Sequence, residues 1–338
     1  MKVRAFTLLL LMLGLPAWGA TFKVATIAPE GSFWMQEMRA GAAEIKQRTS
    51  GRVVLKLYGG GVQGSDKKVL RKIRIGQLQG GAFTATGLSD LYPGLNLYGI
   101  PLFFHSPEEV DFIRSRMDPL VRDGLYDAGF VSFGFAEGGF AYLMSNEPIR
   151  NIDELRGRKV WVPEGDQASF LAMQKFGLSP TVLPITDVLT GLQTRLLDVV
   201  ATSPVGALVL QWHTKVKYVT NVPVAYLVGF LALDRQQFER LSAEDQAIVR
   251  EVLEKNYRNI DAGAREDDAK ALQALRQSGL EFIDVGAEEV MRWRDQLSGL
   301  DRQMVEDGSI DKELLEQTIT LLEAYRLGEA AATLQSAD

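Results

Sequence analysis

The chain contains no cysteine, which excludes a disulfide framework, thiol catalysis, cysteine metal sites and a lipid-anchored cysteine. Histidine is almost as scarce. His105 and His213 are the two in 338 residues, and each reads as a surface or cap residue rather than as a base. No HExxH, GxSxG or GxxxxGK[ST] occurs, so no catalytic set is assembled in the sequence. The run from Ala5 to Leu15 is too short to span a bilayer, which takes about 20 residues. Positive charge is in deficit, with a formal net charge of -6. An acidic chain without a basic patch is a poor partner for nucleic acid or an anionic membrane surface.

What is present begins with Lys2 and Arg4 ahead of that apolar run, followed by small residues at Ala17 and Gly19. This reads as a secretory signal with cleavage after Gly19, which implies a periplasmic address. Losing Lys2 and Arg4 lowers the net charge by two, to -8. The remaining length is more than one core comfortably serves, so two lobes are expected. Residues 22–28 alternate as a strand into Pro29-Glu30-Gly31, and Ser32 caps an amphipathic helix. Strand 52–58, a helix from Ser65 and strand 78–85 complete a βαβαβ unit with mainly parallel pairing. Strands over 129–139 and 140–146 then lead into a second βαβαβ unit: strand 159–163, a helix capped by Asp166, strand 180–185, a helix over 186–196 and strand 197–204. Further strands are expected at 217–224 and 227–234. Residues 242–278 hold helical periodicity without proline, so a helix of roughly 55 Å spans both lobes. Strand 280–285, a helix over 288–307 and a last helix over 312–326 follow.

Two internal features bear on function. Gly59, Gly61 and Gly64 satisfy GxGxxG, but the following strand ends in Phe83-Thr84 rather than in an acidic residue. The glycines therefore read as a tight turn, and no cofactor is expected. Shifting the chain by 119 residues lays 69–87 on 188–206 and pairs Phe83-Thr84 with Thr202-Ser203. In open α/β folds, ligands sit beyond the carboxyl ends of the strands. Glu30, Ser32, Trp34, Phe83, Thr84, Glu137, Trp161, Glu164, Thr202 and Ser203 occupy such places and are the candidate ligand-binding residues. Trp161 and Trp34 read equally as core. No metal site is expected.

The stretches 22–34, 59–81, 101–112, 145–163, 192–204 and 217–223 together resemble the periplasmic solute receptors of tripartite ATP-independent (TRAP) transporters. The resemblance implies a type II-like two-lobe α/β fold closing on a small solute, often an organic acid, and delivery to a sodium-driven membrane permease. It implies lobe I from 20 to 140, lobe II from 141 to 228, and a return to lobe I from 229 to 338. Members usually place an arginine before the Val162-Pro163 pair, where it clamps a carboxylate. This chain has Trp161 there, and Ala141 at a second arginine position. Lys159 or backbone amides at the Asp166 helix are the alternative sources of positive charge. A sensor presenting its ligand to a membrane histidine kinase is the alternative function, and a periplasmic enzyme a more distant one. Oligomeric state is not legible.

Overall fold

The computed structural model describes residues 19–335. The expected secretory segment, apart from its last residue Gly19, lies outside them. The first unit follows the expected order: β1 (Ala20–Ala25), α1 (Phe33–Arg48), β2 (Val53–Tyr58), α2 (Asp66–Arg74) and β3 (Gly80–Thr84). β1 pairs in parallel with both β2 and β3. Phe22 and Val24 of β1, Met38 and Ile45 of α1 and Val53 and Leu55 of β2 bury one face. The Ser32 hydroxyl accepts the Met35 N–H at 3.3 Å and starts α1 where the sequence places it.

α3 (Pro107–Asp127) leads to β4 (Phe130–Ser145), and the second unit contains β5 (Trp161–Pro163), α4 (Gln167–Lys175), β6 (Thr181–Leu183), α5 (Val188–Gln193) and β7 (Val199–Thr202). β5 pairs in parallel with β6, and Val160 bridges in parallel to Val199. β3 and β7 begin at Gly80 and Val199, which coincide under the 119-residue shift. α6 (Pro204–Val209) precedes β8 (Tyr218–Asp234).

The expected strand pairs 129–139/140–146 and 217–224/227–234 are instead two long continuous strands, β4 and β8, paired antiparallel along their lengths. Gly138 and Pro223 interrupt the register without ending the strands, because pairing resumes on the far side of each. β8 meets β3 at Gly229–Leu233 and β4 meets β7 at Tyr142–Ser145, which gives the order β2-β1-β3-β8-β4-β7. The sheet is thus parallel inside each unit and antiparallel along the strands that join them.

After α7 (Arg235–Glu239), α8 (Ala243–Gln277) is one helix of 35 residues, about 52 Å long, capped by Ser242. Its Val249–Ile260 side packs with Phe22 and Val24, whereas Leu275 packs with Trp212. The chain after α8 does not simply rejoin the first unit. β9 (Glu281–Ile283) pairs with Tyr218–Thr220 at the other end of β8. The expected single helix divides into α9 (Ala287–Gln296) and α10 (Leu300–Glu306) at Gly299, whose φ of 73° takes the chain out of helical geometry. Lys175 of α4 donates to the Ser298 carbonyl at 2.9 Å, holding this turn to the second unit. α11 (Lys312–Gln335) continues past the expected end at 326.

Candidate functional site

Two cavities of about 120 and 320 Å³ meet at Thr84, Ile185, Thr202, Leu227 and Val228, each of which lines both. The end of β3 and the start of α2 form one wall, and the β5–α4 turn, Pro184-Ile185 and the end of β7 form the other. The irregular middle of β8 is the floor. The walls touch where the Ser89 hydroxyl donates to the Gly165 carbonyl at 2.9 Å. No helix among the described residues is long and apolar enough to cross a membrane.

Nine of the ten candidate residues line this cleft, in different ways. Ser32 and Ser203 spend their hydroxyls on capping α1 and α6, accepting the Met35 and Gly206 N–H groups. Phe83 is buried against Phe230, at a centroid separation of 6.2 Å, and presents only part of its ring. Trp34 packs partly on the first-unit core and also lines the larger cavity. The Thr84 hydroxyl donates to Asp66 Oδ2 at 2.8 Å and accepts the Gly87 N–H at 3.1 Å. Thr202 lines both cavities, and its hydroxyl has no hydrogen-bond partner among the described residues.

Trp161 is both core and wall. It is 5% exposed, donates its indole N–H to the Leu183 carbonyl at 2.9 Å, and meets Trp212 edge to face at 5.1 Å. Only the ring surface is therefore free for a solute. Glu164 lines the smaller cavity and Glu137 the larger. Glu30 lies outside both, because it is drawn to Arg39. Lys159 also turns away, donating to the Arg195 carbonyl at 2.7 Å, and so supplies no charge to the cleft.

Sequence reading missed Asp66, Asp267 and Asp268 as lining residues. Asp66 looked like an ordinary first-turn acid of α2, and Asp267 and Asp268 like solvent-face residues of α8. Asp66 is buried, and a Cβ on Gly87 would lie 1.9 Å from its Oδ2, so only glycine at 87 leaves it room. Burial pushes the Asp66 carboxyl up to about 6, against the lowering effect of the Thr84 hydrogen bonds, with the Glu164 charge raising it further. Burial likewise raises Asp268 to about 6, and raises Asp166, which caps α4 through the Ser169 N–H.

A carboxyl held above its ordinary 3.8 favours the folded state fully below that pH and loses this contribution as pH rises through about 6. Relative to a carboxyl with no shift, ionised Asp66 costs about 3 kcal/mol at neutral pH. Asp66→Asn keeps an acceptor for Thr84 and cannot ionise. Its melting temperature should exceed the wild type's by more at pH 7.5 than at pH 4.5. An equal difference at both pH values would contradict the assignment.

The description "Bacterial extracellular solute-binding protein, family 7" belongs to the DctP family profile, which matches residues 24–307. The C4-dicarboxylate-binding periplasmic protein DctP of Rhodobacter capsulatus is 23% identical over 276 residues, covering 79% of this chain and 82% of that protein. A TRAP periplasmic solute-binding protein from Ochrobactrum anthropi superimposes with a TM-score of 0.78 at 23% identity, over 94% of this chain and 99% of that one. The sugar acid binding protein DctPAm from Advenella mimigardefordensis, in complex with galactonate, gives a TM-score of 0.83 at 16% identity over 90% and 98%. At these identities the structural likeness establishes the two-lobe fold.

Proposed function

The chain belongs to family 7 of the bacterial extracellular solute-binding proteins, and from that premise we propose that it captures a small organic solute between Thr84 and Thr202 and delivers it to a TRAP-type membrane permease. The family is one of extracytoplasmic receptors, not of enzymes. The observation that carries the proposal is that Thr84, at the end of β3, and Thr202, at the end of β7, line the same two cavities. Concave, largely apolar space with a few convergent polar groups between two units is the usual form of a solute site. Organic acids are the class that the relatives bring. The ligand contacts fall to Thr202, Trp161, Glu164, Trp34 and Thr84, with Ser32, Ser203, Phe83 and Glu137 shaping the walls.

We assign residues 20–140 and 229–278 mainly to one lobe and 141–228 to the other, with β9, α9 and α10 packed on the second. Closure turns about Glu137–Ala141 of β4 and the β8 residues paired with it, Ala225–Val228; Gly229–Leu233, the β8 stretch that the sequence suggested, pairs with β3 inside the first lobe. The mature chain starts after Gly19. Phe33 and Val209 line the larger cavity although they are 43% and 36% exposed, so closure has apolar surface left to bury. Small-angle scattering should show a smaller radius of gyration with a saturating solute that raises the melting temperature. An unchanged radius with confirmed binding contradicts the closing mechanism.

A further inference from the structure

The solute of this cleft can be specified further from the charges that line it, and this step rests on the receptor reading above. Among the described residues no lysine, arginine or histidine lines either cavity. Asp66, Glu164 and Asp166 line the smaller one, and Glu137, Asp267 and Asp268 the larger. Of these six only Glu137 has a cationic partner, Arg265 Nε at 3.3 Å. Lys67, next in sequence to Asp66, is held by Asp90 at 2.7 Å. A carboxylate solute would enter a site that adds like charge and offers no guanidinium or ammonium to pair it.

We infer that the solute carries a cationic nitrogen, held in the smaller cavity by Asp66 and Glu164 beside the indole of Trp161. Three features of the site converge on this chemistry. Asp66 and Glu164 line the same cavity, and the Glu164 charge disfavours ionisation of Asp66, so a cation between them relieves that repulsion as well as making two contacts. The Trp161 N–H is committed to Leu183, which leaves the ring's electron-rich surface as its available contribution, and that surface attracts cations. The larger cavity, lined by Ile27, Phe33, Trp34, Val205, Val209 and Leu210, takes the apolar remainder of the molecule. No group of three or more acidic or histidine side chains among the described residues is arranged to hold a metal ion, so the cation is organic.

The test is calorimetry on the mature chain with choline, glycine betaine and putrescine in one arm and succinate and galactonate in the other. At least one nitrogen compound should bind, with affinity falling as salt is raised, while succinate and galactonate give no heat. Choline against betaine shows whether the solute also bears a carboxylate. Asp66→Asn and Glu164→Gln, each verified as folded by melting, should weaken binding about tenfold or more, the size of one lost charge-assisted contact. Lining charge that only shapes the cavity would leave affinity unchanged in both variants, and that result overturns the inference. So does binding of succinate or galactonate with no nitrogen compound bound, although it leaves the receptor reading standing. If none of the five probes binds, the cationic inference is overturned; the receptor reading then stands or falls on whether the protein carries a cleft-dependent solute from its own periplasm.

Discussion

Replacing Trp161 with alanine should lower the melting temperature and weaken solute binding together. The side chain is 5% exposed, packs edge to face on Trp212 and donates to the Leu183 carbonyl, which it shares with the Glu164 N–H. Removing such a ring costs about 3 to 5 kcal/mol of stability, and the lost wall of the smaller cavity removes about 1 to 3 kcal/mol of binding. Trp161→Phe separates the two roles. It keeps an aromatic surface but removes one of the two donors to the Leu183 carbonyl, which still accepts the Glu164 N–H at 3.2 Å, so it should cost about 1 kcal/mol of stability and less affinity than alanine. Calorimetry and thermal melting on both variants decide the matter. Unchanged affinity with lowered stability would make Trp161 core alone. Trp161→Arg should not create dicarboxylate binding, because Asp66 and Glu164 would pair the new guanidinium within the cavity.

Arg114→Met should destabilise the fold by about 3 to 5 kcal/mol, the usual effect of breaking one side of a buried ion network. Arg114 Nη1 donates to Asp261 at 2.8 Å, and Nη2 to Asp118 at 3.2 Å and to the Phe135 carbonyl at 2.9 Å. Asp261 also accepts the Glu137 N–H at 2.8 Å. One guanidinium thereby ties α3 and α8 to β4 beside the proposed hinge. Burial raises the Asp118 carboxyl, with Arg114 opposing the shift. Without Arg114 the exposed penalty on ionised Asp118 is relieved by protonation, so the loss in urea denaturation should be smaller at acid pH than at pH 7.5. A loss under about 1 kcal/mol at pH 7.5 would contradict a buried network of this kind.

Local signals made α1, α4 and α8 legible, because Ser32, Asp166 and Ser242 each cap a helix with their own side chains. The same kind of signal misled in β4 and β8. Gly138-Gly139 and Pro223 punctuate a sequence in the same way whether a strand ends there or merely bulges, and only the cross-strand partner distinguishes the two. The cleft was legible where it depends on strand ends, at Thr84, Trp161 and Thr202. It was not legible where it depends on distant partners. Leu183 and Trp212 hold Trp161, Arg39 draws Glu30 aside, and Arg195 takes Lys159. Asp66 looks like any acid in a first helical turn until the space left by Gly87 shows it buried against Thr84.

The central claim is that a small solute resides in the cleft between Thr84 and Thr202. Native mass spectrometry of the protein taken gently from its own periplasm tests it most directly, with Ala225→Trp as the blocked control. Ala225 lines the smaller cavity from its floor, so an indole there fills the space while melting confirms that the variant folds. The account predicts a small-molecule adduct on the wild type that is absent from the folded Ala225→Trp protein. An adduct of equal abundance on both proteins, or none on the wild type, would contradict it.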